Sequence, residues 1–203
     1  MGTILVVRHG ETEWSRLHKH TGRTDIPLTE SGREQARALA ATLSGRSFDR
    51  VFVSPLGRAR ETCELAGFGG QATTVDDLCE WDYGDHEGLV TDEVRRSEPG
   101  WSVWESAVPG GESVADIAAR ADRVVTLLRS QPGDALVFAH GHILRVLAAR
   151  WAGLPPATGR RLLLGTAALG LLAYEHGEGA IASWNLPALP RAGITPPLPP
   201  THD

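Results

Sequence analysis

The chain has 203 residues, with 20 Lys+Arg against 25 Asp+Glu for a formal charge of −5, and its 41% hydrophobic and 22% charged content is ordinary for a globular protein. That length suits one domain of roughly 100–200 residues, and an acidic balance excludes a surface built for nonspecific nucleic-acid or membrane-surface binding, which needs clustered positive charge. No apolar run approaches the ~18 residues of a membrane span, and two cysteines, Cys63 and Cys79, cannot build a disulfide framework. Met1 leads directly into the apolar run at residues 4–7, which is too short for a signal-peptide core. The expectation is a cytoplasmic protein with two buried thiols.

Residues 4–7 (Ile4, Leu5, Val6, Val7) read as a strand buried on both faces. After a polar loop, Thr29 is an N-cap for a helix with Ala36, Leu39, Ala40 and Leu43 on one face. Residues 50–53 give a second strand. Ser54 followed by Pro55 predicts an N-cap with proline in the first helical position, and a helix to about Ala66 that Gly67 stops. Residues 72–75 are a short strand. The stretch 76–111 is loop-rich, with Arg95 and Arg96 on a helix ahead of Pro99. Ser113 and Asp116 form a capping box for the clearest helix, with Val114, Ile117, Ala118, Ala121, Val124, Val125 and Leu128 at i, i+3, i+4 spacing. A further buried strand at 135–138 precedes a helix with Ile143, Val146, Leu147 and Trp151 inward. Two closing strands fall at 167–174 and 180–184. Residues 1–186 therefore read as one α/β domain, a three-layer sandwich with a mainly parallel central sheet and helices on both faces. Residues 187–203 are proline-rich and expected to be a loose tail.

In such sheets ligands bind beyond the carboxyl ends of the strands, and the chemistry-bearing residues lie there. Arg8-His9-Gly10 and Ala139-His140-Gly141 each follow a buried strand. One histidine at a strand end is by default structural, but two in the same setting, one beside an arginine, suggest a paired site. Arg58 sits in the first turn after a third strand, where an anion is favoured by the helix dipole and by charge-assisted bonds from a guanidinium. Arg8 and Arg58 thus read as a clamp on a phosphoryl group; taken singly, Arg58 would form a surface salt bridge to Glu61 or Glu64. Glu80, flanked by Trp81, suits a proton donor, with Asp82 its close competitor and Glu87 a brace for the loop.

In order along the chain stand Arg8-His9-Gly10-Glu11-Thr12-Glu13-Trp14, Asp25-Ile26-Pro27-Leu28-Thr29-Glu30-Ser31-Gly32, Ser54-Pro55-Leu56-Gly57-Arg58-Ala59, Glu80-Trp81-Asp82-Tyr83-Gly84-Asp85-His86-Glu87-Gly88 and His140-Gly141. This series resembles the histidine phosphatase, or phosphoglycerate-mutase-like, superfamily over roughly residues 3–185, nearest its acid phosphatase and sedoheptulose-bisphosphatase-like branch. The resemblance implies that His9 is the nucleophile and forms a phosphohistidine. It implies that Arg8, Arg58 and His140 bind the phosphoryl oxygens and that Glu80, rather than Asp82, is the general acid. Ser15, Thr21 and Gly22 match positions lining the phosphate pocket, and Trp81, Asp82, Tyr83, Gly141 and His142 match the substrate side. Ser15 stands where the family usually has Asn, and Thr21 where it often has Gln, so substrate contacts differ there. About sixty residues separate Glu80 from His140, fewer than in phosphoglycerate mutases, which favours a phosphatase.

The implied enzyme is a metal-independent phosphomonoesterase without cofactors, acting on a small-molecule phosphate monoester, with an acidic pH optimum and a homodimer as the candidate assembly. His140 is expected to be protonated and His9 neutral. Three rival readings are a metal hydrolase using the pairs His18/His20 and His140/His142, a phospho-ligand binding module without activity, and a phosphoglycerate-mutase-type phosphoryl transferase. Trp14, Trp101, Trp104, Trp151 and Trp184 are expected in core or rim packing. Arg95 and Arg96 read as a solvated face, the alternative being contact with a second substrate phosphate.

Overall fold

Alternation along the buried strands sets the architecture. A computed structural model describes residues 2–188. Strand β1 (Ile4–Arg8) sends Ile4 and Val6 to one face and Leu5 and Val7 to the other, as a two-residue period requires. Strand β4 (Ala135–Ala139) does the same with Ala135, Val137 and Ala139 against Leu136 and Phe138. On the first face these residues pack with helices α5 (Val114–Arg129) and α6 (Gly141–Trp151), through Ile117, Val124, Leu144, Val146 and Trp151. On the second they meet α2 (Glu30–Thr42) and α3 (Gly57–Leu65), through Leu39, Ala59 and Cys63. The result is the expected three-layer sandwich.

The sheet has six strands in the order β3-β2-β4-β1-β5-β6, with β2 at Arg50–Val53, β3 at Ala72–Thr74, β5 at Leu169–Glu175 and β6 at Glu178–Leu186. The first four in that order are mutually parallel, β5 runs antiparallel to β1, and β6 runs antiparallel to β5. A tight turn at His176 and Gly177, both with positive φ (50° and 84°), joins the last two. In the central pair Arg8 is opposite Ala139. His9 and His140 therefore leave the sheet side by side, and His9 N–H still donates to the Ala139 carbonyl at 2.9 Å.

The sequence signals differ from the structure at three points. Ser54 does not cap α3, whose N-cap position is Leu56. The helix is capped instead by Asp25, 32 residues earlier, whose carboxylate accepts from Gly57 N at 2.6 Å and Arg58 N at 3.4 Å. The polar loop after β1 contains a short helix, α1 (Glu13–Arg16), closed by a capping box between Thr12 and Ser15. Segment 76–111 contains, besides the helix expected around Arg95 and Arg96, here α4 (Thr91–Ser97), three-residue 3₁₀ turns at Asp76–Leu78 and Gly84–His86. Thr29 and Ser113 cap α2 and α5 as expected. The proline-rich tail, from residue 189 on, lies outside the described residues. Among the described residues no helix is long and apolar enough to cross a membrane.

Candidate active site

The carboxyl ends of β1 and β4, the start of α6 and the loops after β1 and β3 enclose a cavity of about 400 Å³, within the size range of small-ligand sites. Arg8, His9, Ser15, Thr21, Glu80, Tyr83, Gly141 and His142 line it. Arg58 and His140 are both buried and do not line it. The rings of His9 and His140 are 5.1 Å apart, and Arg58 Nε donates to His140 Nδ1 at 3.2 Å. Gly22, Trp81 and Asp82 do not line the cavity. Gly22 offers its carbonyl to Arg58, Trp81 donates its indole N–H to Glu112 O, and the Asp82 carboxylate accepts from Gly84 N and Arg23 Nε.

His9 has one definite tautomer. Its Nδ1 is 2.7 Å from the Gly10 carbonyl oxygen, which can only accept, so Nδ1 carries the proton and Nε2 keeps its lone pair. Burial, then the charges of Arg58 and Arg8, hold the ring well below the usual histidine range. The loop that fixes it is close-packed: a Cβ on Gly10 would collide with the Gly32 carbonyl, and Gly10 N–H donates to Thr62 Oγ1 at 3.0 Å. The glycine after His9 thus serves close packing rather than a sharp turn.

Arg8 donates through Nη1 to Leu164 O at 2.6 Å, while among the described residues its buried Nε has no hydrogen-bond partner. That Nε lies 3.4 Å from where a Cβ on Gly141 would stand, so the guanidinium lies against the start of α6 at van der Waals distance. Arg58 differs from the expected clamp. Nη1 donates to Thr24 O and Asp25 Oδ1, Nη2 to Thr21 O and Gly22 O, and Nε to His140. Its ion pair is to Asp25, not to Glu61 or Glu64; Glu61 pairs with Arg33.

The protonated His140 expected from the sequence is not what the structure holds. Because a guanidinium only donates, His140 Nδ1 must accept from Arg58, and the ring's single proton sits on Nε2, 2.7 Å from Ser54 Oγ. Burial first, then Arg58, His9 and Arg8, push His140 well below the usual range. His140 is therefore neutral.

Glu80 sits on the N-terminus of α6. Oε1 accepts from Trp81 N and Ile143 N, and Oε2 from His142 N, all at 2.9 Å, which fixes the carboxyl group in place. Arg120 on α5 holds the chain leading to it, donating to the carbonyls of Asp77, Cys79 and Glu80 while paired with Glu112. Glu87 braces the opposite loop by accepting from Arg23 N and Thr24 N.

Several lining residues had no sequence signal. Lys19 comes from the loop after α1, Thr91 opens α4 and Arg145 lies one helical turn beyond His142, while His20, marked in the sequence only as half of a metal-binding pair, also lines the cavity. His20, pressed against Tyr83 and Trp101, is pushed down to about 4 by burial and then His86. Arg95 and Arg96 are exposed and do not line the cavity; Arg95 Nε donates to Trp101 O. Of the five tryptophans expected to pack, Trp101, Trp104 and Trp151 are buried, while Trp14 and Trp184 are half-buried. Among the described residues no three His, Cys, Asp or Glu side chains gather as a metal would require.

Known proteins match this chain along nearly its whole length. The family described as histidine phosphatase superfamily (branch 1) matches residues 4–187. An acid phosphatase of Mycobacterium tuberculosis is 42% identical over 192 residues, 93% of this chain and 94% of that one. Sedoheptulose 1,7-bisphosphatase of Saccharomyces cerevisiae is 34% identical over 182 residues, 74% of this chain and 67% of that one. The solved structure of an M. tuberculosis open reading frame superimposes with a TM-score of 0.88 at 41% identity, covering 93% of this chain and 99% of that one. The chain belongs to the histidine phosphatase superfamily, branch 1, and its chemistry is that of a phosphatase.

Proposed function

We propose that the protein is a cytoplasmic, metal-independent phosphomonoesterase that works through a phosphohistidine at His9 and acts on small phosphorylated metabolites, on the acidic side of neutrality. The observation that carries this reading is His9 itself. Its Nδ1–H is fixed on the Gly10 carbonyl and its Nε2 has no partner among the described residues, in a cavity that also holds Arg8 Nε, likewise unpartnered among them, and the Glu80 carboxyl group.

His9 Nε2 attacks phosphorus in line with the ester oxygen. The N–P bond forms as the P–O bond breaks, and Glu80, protonated at that moment, gives its proton to the departing alkoxide. Water then attacks the phosphohistidine and returns a proton to Glu80, and inorganic phosphate and neutral His9 are regenerated. Arg8 offers donors to the phosphoryl oxygens. Arg58 acts from behind as fixed positive charge that keeps His9 neutral, and His140 holds the ring's rear face. Preorganised charge of this kind carries most of the catalysis in phosphoryl transfer.

A panel of sugar bisphosphates, phosphoglycerates and phenyl phosphate, assayed at pH 5 and 7 with and without EDTA, tests the reading. The expected outcome is phosphate release that EDTA does not diminish and that His9→Ala abolishes. Turnover by His9→Ala, loss of activity with EDTA, or phosphoglycerate isomerisation in place of hydrolysis would each contradict it.

A further inference from the structure

Across the cavity from the nucleophile runs a polar chain whose direction is fixed by donor and acceptor capacity alone. Arg145 Nη1 is 3.2 Å from His142 Nε2, and His142 Nδ1 is 2.6 Å from Tyr83 Oη. A guanidinium has no acceptor, so His142 Nε2 accepts and the neutral ring carries its proton on Nδ1. That proton goes to Tyr83 Oη. The tyrosine's own proton is then free to be donated, and among the described residues no protein acceptor takes it. Burial keeps His142 well below the usual histidine range and Tyr83 well above the usual phenol range, so neither departs from this arrangement near neutral pH.

The chain is rigidly held. Arg145 Nε donates to Gly159 O at 2.9 Å and its guanidinium lies 4.9 Å from the Trp104 ring centroid. His142 packs against the rings of Trp81 and Trp104, with centroids 5.9 and 5.1 Å away. Tyr83, His142 and Arg145 all line the cavity.

We propose that Arg145 is a positioning residue that, through the tautomer of His142, turns the Tyr83 hydroxyl proton toward an acceptor oxygen on the alcohol part of the substrate, so that the cavity favours phosphate monoesters of polyols or hydroxy acids. The proposal rests on the phosphatase reading above. Without Arg145, His142 Nε2 loses its donor, the ring is free to take the other tautomer, and Nδ1 then accepts from Tyr83, turning the hydroxyl away.

The test compares Tyr83→Phe, Arg145→Met and the double variant on a polyol phosphate and on phenyl phosphate, which lacks the acceptor. Each single variant should lower the ratio of kcat/KM for polyol over phenyl phosphate about tenfold, and the double variant should fall no further than Tyr83→Phe. Additive losses, or an unchanged ratio, would overturn the relay. Nitrogen-15 NMR of the His142 ring reads it independently of activity. It should report Nδ1–H in the parent and a shift toward Nε2–H in Arg145→Met, and an unmoved tautomer would refute it. Failure of the phosphatase reading shows separately, as absent phenyl phosphate hydrolysis by the parent enzyme.

Discussion

The reactive form of His9 is neutral, and burial with two neighbouring arginines keeps it so well below pH 6.5. As pH falls from 7, nucleophile protonation should therefore leave kcat/KM intact through 6.5. A pH–rate profile of the native enzyme checks the sign; an acid limb with its midpoint near 6.5 would show an unshifted nucleophile. Glu80→Gln probes the other half of the chemistry. It should cut kcat by about 10²–10⁴ on an alkyl phosphate and by much less on an aryl phosphate, whose leaving group needs no proton. Equal losses on both would remove Glu80 from the acid role. The pairing of His9 with His140 was legible because each stands two residues after a buried apolar run, and β1 and β4 pair in register, whereas Glu80 was separated from Asp82 only by the family resemblance. The protonation state of His140 was not, because it depends on the donor-only guanidinium of Arg58, 82 positions away.

Elements position these residues through long-range polar ties that no local pattern encodes. The strands, the α2 cap at Thr29 and the apolar face of α5 were readable from two-residue and 3.6-residue periods. Asp25 capping α3 was not, since the signal for a cap is sought beside the helix and this one comes from a distant loop. Arg120 was equally hidden, as a charged residue on the edge of an apolar helical face reads as solvated. It is 8% exposed and holds three carbonyls of the segment carrying Glu80, besides Glu112. Arg120→Met should destabilise the fold by about 3–5 kcal/mol, because it leaves a partly buried carboxylate and three carbonyls without their donor. Urea unfolding of the variant measures this, and a loss under ~1 kcal/mol would mark the pair as no more than a surface ion pair.

At the scale of the whole molecule, the buried neutral histidines set a limit on acid tolerance. His9, His140 and His142 are all held well below 6.5 in the folded state. Unfolding restores their ordinary affinity for protons, so the unfolded chain binds more protons below about pH 6.5 and stability falls as pH drops through that range. Each histidine contributes a slope of up to about 1.4 kcal/mol per pH unit, and denaturant midpoints measured at pH 7, 6 and 5 should decline accordingly. A flat series would mean that these rings are charged in the folded protein. The same burial that frees the nucleophile at moderately acid pH thus narrows the range in which the sandwich survives. What joins fold to chemistry is the register of two parallel strands that delivers one imidazole, with its Nε2 lone pair unshared, to a cavity floor backed by arginines. Rapid quenching of turnover with phosphorus-32-labelled substrate, under alkaline conditions that preserve phosphohistidine, tests this most directly. The account predicts label on His9 alone, absent from His9→Ala; turnover with no label on His9, or label on another residue, would contradict it.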